Sequence, residues 1–589
     1  MTMRTFLSPR KRDQRASALI LTMIMTGIAL AILAGAMTWS ANATRQTHRS
    51  IQYTRSVAAA EAATEKVVSR IVRDFLFGGE KMVSDNLASY RLIVPSTADS
   101  PTWGQWEFND AGGHTGQTYV QGVFRNKYVV LNSTYAGLRG FVSTYSVASH
   151  ARELAALQNV VGGVLQEVQL ARIPVFQFAM YSSGDMEISC GQPLAVTGRV
   201  HSNGQLYVEP DNTLTFLSDV TAVQNILFQR HPLDTRGPPS GGAIYVYPDR
   251  KISHVPAMTL PIGTTNTPEA IREILQPPPF GEDPNSPIGR LRYYNQAEMI
   301  IVVTNSGLSL TNTQVVATSG RFNNFSTIIP TNELALFVVT TNFFTDAREE
   351  KTVRPIDLNV GIFKAWSETN ASLRVALDSL DVSSVYVWDR RTLAGTNLGA
   401  VRVFNGLLLP SRGLTVATAR PLYSLGHYNQ TNALNLATTN TSSTKPASLV
   451  GDAVTILSAN WKDATSTAPV AARVALPTTV NAAILTGVVE TTLGKYSGGM
   501  ENFPRFLETW GAANVLTYNG SMVKMFPSLY ATNAWGKANV YAPPKRDWAY
   551  DMNFEDAAKL PPLTPGLQKV IRGQWATVAP NKNVATVGP

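Results

Sequence analysis

The sequence has little of what would cross-link it or ligate a metal. It holds one cysteine, Cys190, among 589 residues, so an internal disulfide and a multi-cysteine metal site are both excluded. A lone cysteine in a β-rich stretch reads as a small buried apolar residue, and the fold must be held by packing. Seven histidines are scattered without metal-ligand spacing. Asp357 and Asp389 lack the regular Asp/Asn/Gly loop of a calcium site. Between Gly487 and Lys495 the spacing is wrong for a phosphate loop, and Tyr496 stands where Ser or Thr is required. Charged residues make up only 15%, and the net charge of +9 is dispersed. That excludes the focused basic stripe of a nucleic-acid binder. No metal, cofactor or nucleic acid is expected.

Hydrophobic residues, by contrast, reach 44%, with 42 Gly and 34 Pro among abundant Asn and Thr. This composition favours strands and turns over helices, in roughly three or four domains at about 150 residues each. The exception is the N-terminus. Arg4, Arg10, Lys11, Arg12 and Arg15 precede an uncharged run that lasts until Arg45. The apolar part, Ala16 to Trp39, is long enough to cross a hydrocarbon core of about 30 Å at about 1.5 Å per residue. The basic flank predicts a cytoplasmic N-terminus and a body outside the cytoplasm. A cleavable secretory signal is the alternative, with Ala41-Asn42-Ala43 as its cleavage zone. Against it, Ile51, Ala58, Ala62, Val68, Ile71, Val72 and Phe75 continue at helical spacing, and neither Gly nor Pro intervenes between Ala36 and Phe77. One helix over 16–77 is expected.

The basic leader, the start Arg15-Ala16-Ser17-Ala18-Leu19-Ile20-Leu21 and the stretch Ala58-Ala59-Ala60-Glu61-Ala62 resemble the PilX-type N-terminus of the type IV pilin and pseudopilin superfamily. The resemblance implies cleavage by a prepilin peptidase between Ala16 and Ser17, and packing of the helix into a filament core. Ala16 stands where Gly is usual, and Leu21 where major pilins carry Glu. Both departures point to a minor or tip-type member. The stretches Gly198 to Gly204 and Tyr496 to Trp510 are similar to the G-x-V-H-S-N-G and Y-S-G-G-x-E-N-F-P-R-F-L-E-x-W segments of large PilX-associated bacterial envelope proteins, which imply no enzymatic activity.

After the leader (1–15) and long helix (16–77), a membrane-proximal α+β module is expected over 78–172, with strands in Tyr119–Ser149 and a second helix over His150–Leu170. Very short strands with Gly or Asn corners follow in 173–275 and again in 401–542. They suggest two parts of one interrupted β-solenoid, with a β-sandwich as the alternative. Between them, 276–400 reads as a Pro-rich linker and a small α/β insert. Its strands are Met299–Thr304, Leu334–Thr340 and Ser384–Trp388, around a helix over Asp357–Trp366. The segment 543–589 reads as a Pro-rich surface wrap and tail. The fold class is thus mainly β with a long N-terminal helix.

Candidate chemistry concentrates in Tyr496 to Trp510. Glu501, Arg505, Glu508 and Trp510 form a candidate ligand or glycan patch, since paired carboxylates serve as acid and base in glycoside chemistry. The plainer reading pairs Arg505 with Glu501 or Glu508 while Phe503, Phe506 and Trp510 seal the β-domain. His201 and Ser202 are neighbours on a strand, point to opposite faces and are poorly placed to cooperate. The charge run Asp346 to Lys351 reads as a solvated loop. Three functions follow. The first is a non-enzymatic structural component of a type IV pilus or related secretion system, with inner-membrane lipid, other pilin-like subunits, the assembly machinery and a prepilin peptidase as partners. The second is a membrane-tethered β-helix acting on polysaccharide. The third is an adhesin that binds glycan through Trp510 and Trp535.

Overall fold

A computed structural model describes residues 14–131, 138–156, 158–258, 267–304, 315–318, 324–327, 331–377 and 379–579. It begins with helix α1, Gln14–Asp85, interrupted by a positive φ of 72° at Gly79. Ala16 and Ser17 lie in its first turn; Arg4, Arg10, Lys11 and Arg12 lie outside the described residues. From Leu19 to Trp39 the large apolar side chains are all exposed, and this part is long and apolar enough to cross a membrane. The hydroxyls within it bond back to their own helix: Thr22 donates to the Leu19 carbonyl (2.8 Å), Thr26 to Thr22 (2.7 Å) and Thr38 to Ala34 (3.0 Å). None of these three is left to face an apolar surrounding.

The chain divides into two compact units, the first comprising 1–125, 143–170 and 570–589. The divisions fall inside strands Tyr119–Val130, Arg139–Glu153, Val161–Pro174 and Gly566–Thr577. In the first unit the second half of α1 packs on a sheet. Among the described residues the order is Trp106–Asn109, Arg139–Glu153, Val161–Pro174, Gly566–Thr577, with Tyr119–Val130 also on Arg139–Glu153. Ala60, Ala63, Val67, Ile71 and Phe75 recur every three or four residues and are buried against Val120, Tyr145, Val147, Val164 and Val168.

The helix expected over His150–Leu170 is instead the end of one strand and most of the next. Leu154, Val161, Val164, Leu165 and Val168 have helical spacing by coincidence, and Val161–Pro174 is buried on both faces over most of its length, which erases the alternation of a half-exposed strand. Gly162 and Gly163, which would weaken a helix, are what the strand requires. A Cβ on Gly162 would stand 2.5 Å from the Val57 nitrogen of α1, and one on Gly163 2.5 Å from the His150 ring.

The second unit (126–142, 171–569) is built from parallel ladders. Met180–Ser182, Val200–Ser202 and Val220–Ala222 pair in register, so that Tyr181 lies beside His201 and His201 beside Thr221. Met186–Ile188, Leu206–Val208 and Ile226–Leu227 form a second ladder at the same offset. Leu194–Val196, Thr213–Phe216 and Gly242–Tyr245 form a third. Later strands extend the first ladder, all parallel: Met522–Pro527 pairs with Met180–Ser182, then Ala483–Val488, Ala447–Gly451, Leu414–Thr418, Ser384–Asp389 and Met299–Val303 follow in order. Stacked apolar positions such as Val200, Leu206, Leu414, Leu449 and Ile484 fill the core.

Four local expectations change. Leu334–Thr340 contains the end of a short helix, Thr331–Leu334, and a two-residue strand, Val338–Val339. The helix expected from Asp357 is Val360–Thr369, started by the Asn359 side chain accepting from the Ile362 N–H (3.1 Å), while Asp357 belongs to a strand. The Pro-rich C-terminal region contains the strands Ala542–Tyr550 and Gly566–Thr577. Pro543 and Pro544 are tolerated because Ala542–Tyr550 is the end strand of its sheet. The run Asp346 to Lys351 is not a solvated loop: Asp346, Arg348 and Glu349 are buried.

Gly162→Ala forces a methyl group into the α1 backbone and should destabilise the first unit by about 1–3 kcal/mol, the usual cost of overpacking. Thermal unfolding of the full chain in detergent checks this; an unchanged transition would mean that the close contact is absent.

Candidate functional site

Tyr496 to Trp510 enters the second unit as an irregular segment. Gly498 and Gly499 both have positive φ, 100° and 65°. A Cβ on Gly499 would meet the Tyr496 hydroxyl at 2.1 Å and a Glu501 carboxylate oxygen at 2.4 Å, so the turn needs glycine there. Met500–Asn502 forms a single 3₁₀ turn. Arg505 then bridges to Thr455, with its N–H on the Val454 carbonyl (2.9 Å), and the strand Thr509–Gly520 begins.

The four candidate residues do not converge on a common site. Glu501 is buried and accepts from the Ser189 N–H (3.1 Å) and the Tyr496 hydroxyl (3.2 Å). Arg505 pairs with neither Glu501 nor Glu508. It donates to Glu349 (2.8 Å) and to the Ala531 carbonyl (2.8 Å). Glu508 accepts from the backbone and hydroxyl of Ser458, at 2.6 and 2.7 Å. Trp510 is 1% exposed and meets Phe506 edge-on at 5.8 Å. The patch is therefore not open to a glycan, and its carboxylates are held by separate partners inside the protein. A pair inaccessible to substrate cannot act as the acid and base of glycoside hydrolysis. The cavity beside it, lined by Glu187, Ser497, Arg505 and Lys524, is about 20 Å³, room for one water.

The expected charge loop supplies Arg505's partner. Glu349 also accepts from the Asn533 N–H (3.0 Å), while Asp346 accepts from the Arg348 and Glu349 N–H groups and the Tyr423 hydroxyl. Asp357 and Asp389 are likewise engaged by arginine. Arg402 reaches Asp357 at 2.6 and 2.8 Å, and Arg391 reaches Asp389 at 2.8 and 2.9 Å. Among the described residues no group of three His, Cys, Asp or Glu side chains is placed to hold a metal.

Comparison with known proteins adds little. No family model and no curated protein matches the chain. A solved structure, the competence-associated pilin ComZ from Thermus thermophilus, aligns over 90% of this chain and 97% of its own at 9% identity, with a TM-score of 0.25. That score is below the level at which two chains share a fold, and the functional reading rests on this molecule's own geometry.

His201 is part of a buried network. It stacks on Phe178 and Tyr181 at 5.2 and 5.8 Å, and its ring nitrogens meet Thr221 (2.9 Å) and Asn203 (3.0 Å). The Ser202 hydroxyl donates to the Gly184 and Gln205 carbonyls instead. Burial pushes the His201 imidazole down to about 4. Around Tyr496 the shifts run the other way. Burial, aided by the Glu187 carboxylate, pushes Glu209 up to about 8, and burial pushes Glu501 up to about 7. No sequence signal marked Glu209, whose carboxylate partners arrive from 22 and 27 residues away.

Two predictions follow from these buried charges. Arg505→Ala removes the ion-pair partner of the buried Glu349 and should cost about 3–5 kcal/mol, with the double variant Arg505→Met/Glu349→Leu recovering much of the loss; denaturant unfolding of both measures it. The second concerns pH. A raised carboxylate stabilises fully below its unfolded value of about 4.5 and loses that contribution as pH rises through its folded value. His201 acts oppositely, but only below about 6.5. Unfolding temperature should therefore fall between pH 6.5 and 8.5, and Glu209→Gln should flatten that slope.

Proposed function

We propose that this chain is a non-enzymatic structural component of the bacterial envelope, a PilX-like minor or tip-type member of the pilin superfamily. One observation carries the reading: α1 is a single helix in two environments. Its first part presents exposed apolar side chains, and its second part is the buried spine of a folded unit. A plain anchor needs only about 20 residues. A helix that continues into a core ties the membrane segment rigidly to the body, as a subunit assembled from the bilayer would require. In this reading the N-terminus is cytoplasmic and the body periplasmic or extracellular. Inner-membrane lipid, other pilin-like subunits and the assembly machinery contact α1, and a prepilin peptidase cuts between Ala16 and Ser17. Leu21, without a carboxylate, suits a minor rather than a repeating subunit.

For the second unit we infer a β-helix-like body interrupted by an α/β insert over 276–400. The in-register ladders offset by 20 residues support it. So does the buried stack Asn429, Asn481 and Asn519, in which Asn481 donates to the Asn429 carbonyl (2.9 Å) and Asn519 to the Asn481 side chain (2.8 Å). Glu501 and Glu508, being buried, give no support to a glycosidase.

N-terminal sequencing of the protein from cells with and without the prepilin peptidase tests the assignment. Ser17 as first residue only when the peptidase is present is the expected result; an intact Met1 in both would overturn the processing step. Resistance to alkaline extraction from membranes, with release by detergent, is the expected behaviour of the anchor.

A further inference from the structure

Away from the candidate patch, the turns preceding neighbouring parallel strands frame an open groove of about 520 Å³, lined among others by Ser411, Arg412, Ser442, Lys445, Asn553 and Lys559. Ser411 and Arg412 precede the strand Leu414–Thr418, and Ser442 and Lys445 precede its partner Ala447–Gly451. The volume is within the range of about 300–1,000 Å³ typical of small-molecule sites.

The walls are held before any ligand arrives. Asn429 accepts from the Lys445 N–H (2.8 Å) and donates to the Lys445 carbonyl (2.7 Å). Thr441 donates to Asp551 (2.7 Å), which also accepts from the Asn553 N–H (3.0 Å), while the Asn553 amide donates to the Thr441 carbonyl (2.9 Å). Charge in the groove is unbalanced. Arg412 is neutralised by Glu298 (2.8 Å) and Asp381 (3.4 Å). Among the described residues, however, Lys445 and Lys559 have no carboxylate within ion-pair distance, and the Lys559 ammonium donates only to the Asn553 side chain (3.1 Å). The lining contains hydroxyls, an amide and cations, but neither an aromatic ring nor a carboxylate.

We propose that this groove binds an acidic saccharide, a sugar chain bearing carboxylates. The two ammonium groups, neither of them in an ion pair although the buried Asp551 carboxylate feels the Lys559 charge, select an anion, and the hydroxyls and amide match a polyol. Without an aromatic platform the groove has nothing on which a neutral sugar would stack, and its volume exceeds what a lone inorganic anion would fill. The site adds an adhesive function to the envelope role and does not depend on it: failure here leaves the α1 assignment standing, and failure of N-terminal processing leaves the groove intact.

The test is calorimetric titration of the full chain in detergent with trigalacturonate, maltotriose and inorganic phosphate. Trigalacturonate is expected to bind, more weakly as salt rises, while maltotriose does not. Lys445→Ala and Lys559→Ala should each weaken binding about fivefold, the scale of an exposed ion pair. The double variant should weaken it further, Lys445→Arg should restore it, and the thermal transition should stay unchanged throughout. The proposal is overturned by no binding of trigalacturonate, by equal binding of maltotriose, by displacement with phosphate at equal concentration, or by a double variant that binds as the parent does.

Discussion

The second unit depends on one constraint, the parallel pairing of short strands in register. Each position lies beside its counterpart on the next strand, and every strand between the ends of the ladder is paired on both sides. Apolar residues at repeated positions then stack into a core. A polar side chain in the same interior is stabilised where it finds a partner one strand away. The structure meets this requirement repeatedly: His201 with Thr221, Asn429 with Asn481, Asn481 with Asn519, and Thr415 with Ser448 at 2.8 Å. Such pairs hold the register, because a shift by one residue would leave these groups unpaired.

The ionic interior follows the same logic at longer range. Arg505 meets Glu349, and Arg402 meets both Asp357 and Asp463 (2.6 Å), across 156, 45 and 61 residues of sequence. Each arginine has at least two acceptors, which is what makes a buried charge tolerable. These pairs draw the Tyr496–Trp510 segment and the Asp346–Lys351 run into the interior, and so remove the acidic and aromatic residues that seemed most suited to chemistry. What the fold leaves open includes the groove between turns, where Lys445 and Lys559 form no ion pair among the described residues.

How much of this was legible depended on whether the signal was local. The α1 helix was readable because one uncharged run and apolar residues at helical spacing from Ile51 to Phe75 need only neighbours three and four residues away, although of those residues Val68, Ile71 and Phe75 are buried while Ile51 and Ala58 are exposed. The short strands were readable from Leu194-Ala195-Val196 and Leu206-Tyr207-Val208 between their turn residues. The strand Arg139–Glu153 was readable as far as Ser149, but its end and the strand Val161–Pro174 were not, because burial on both faces removes the alternation that distinguishes a strand from a helix. In the candidate site, the residue types of Glu501, Arg505 and Glu508 were informative, but their pairing was not. Helical spacing suggested Arg505 with Glu508, whereas the chain is irregular there and the partners come from distant segments. Lys445 and Lys559 carried no local signal, since a groove is assembled from turns that only the ladder brings together.

The central claim is that α1 is one helix with a lipid-facing part and a core-facing part. Single spin labels at Leu30, Arg49 and Ala60 of the full chain in bilayers, read by power saturation with oxygen and with a water-soluble nickel complex, test it most directly. The account predicts that the Leu30 label responds to oxygen, the Arg49 label to nickel, and the Ala60 label to neither. A Leu30 label relaxed by nickel, or an Ala60 label as accessible as Arg49, would contradict it.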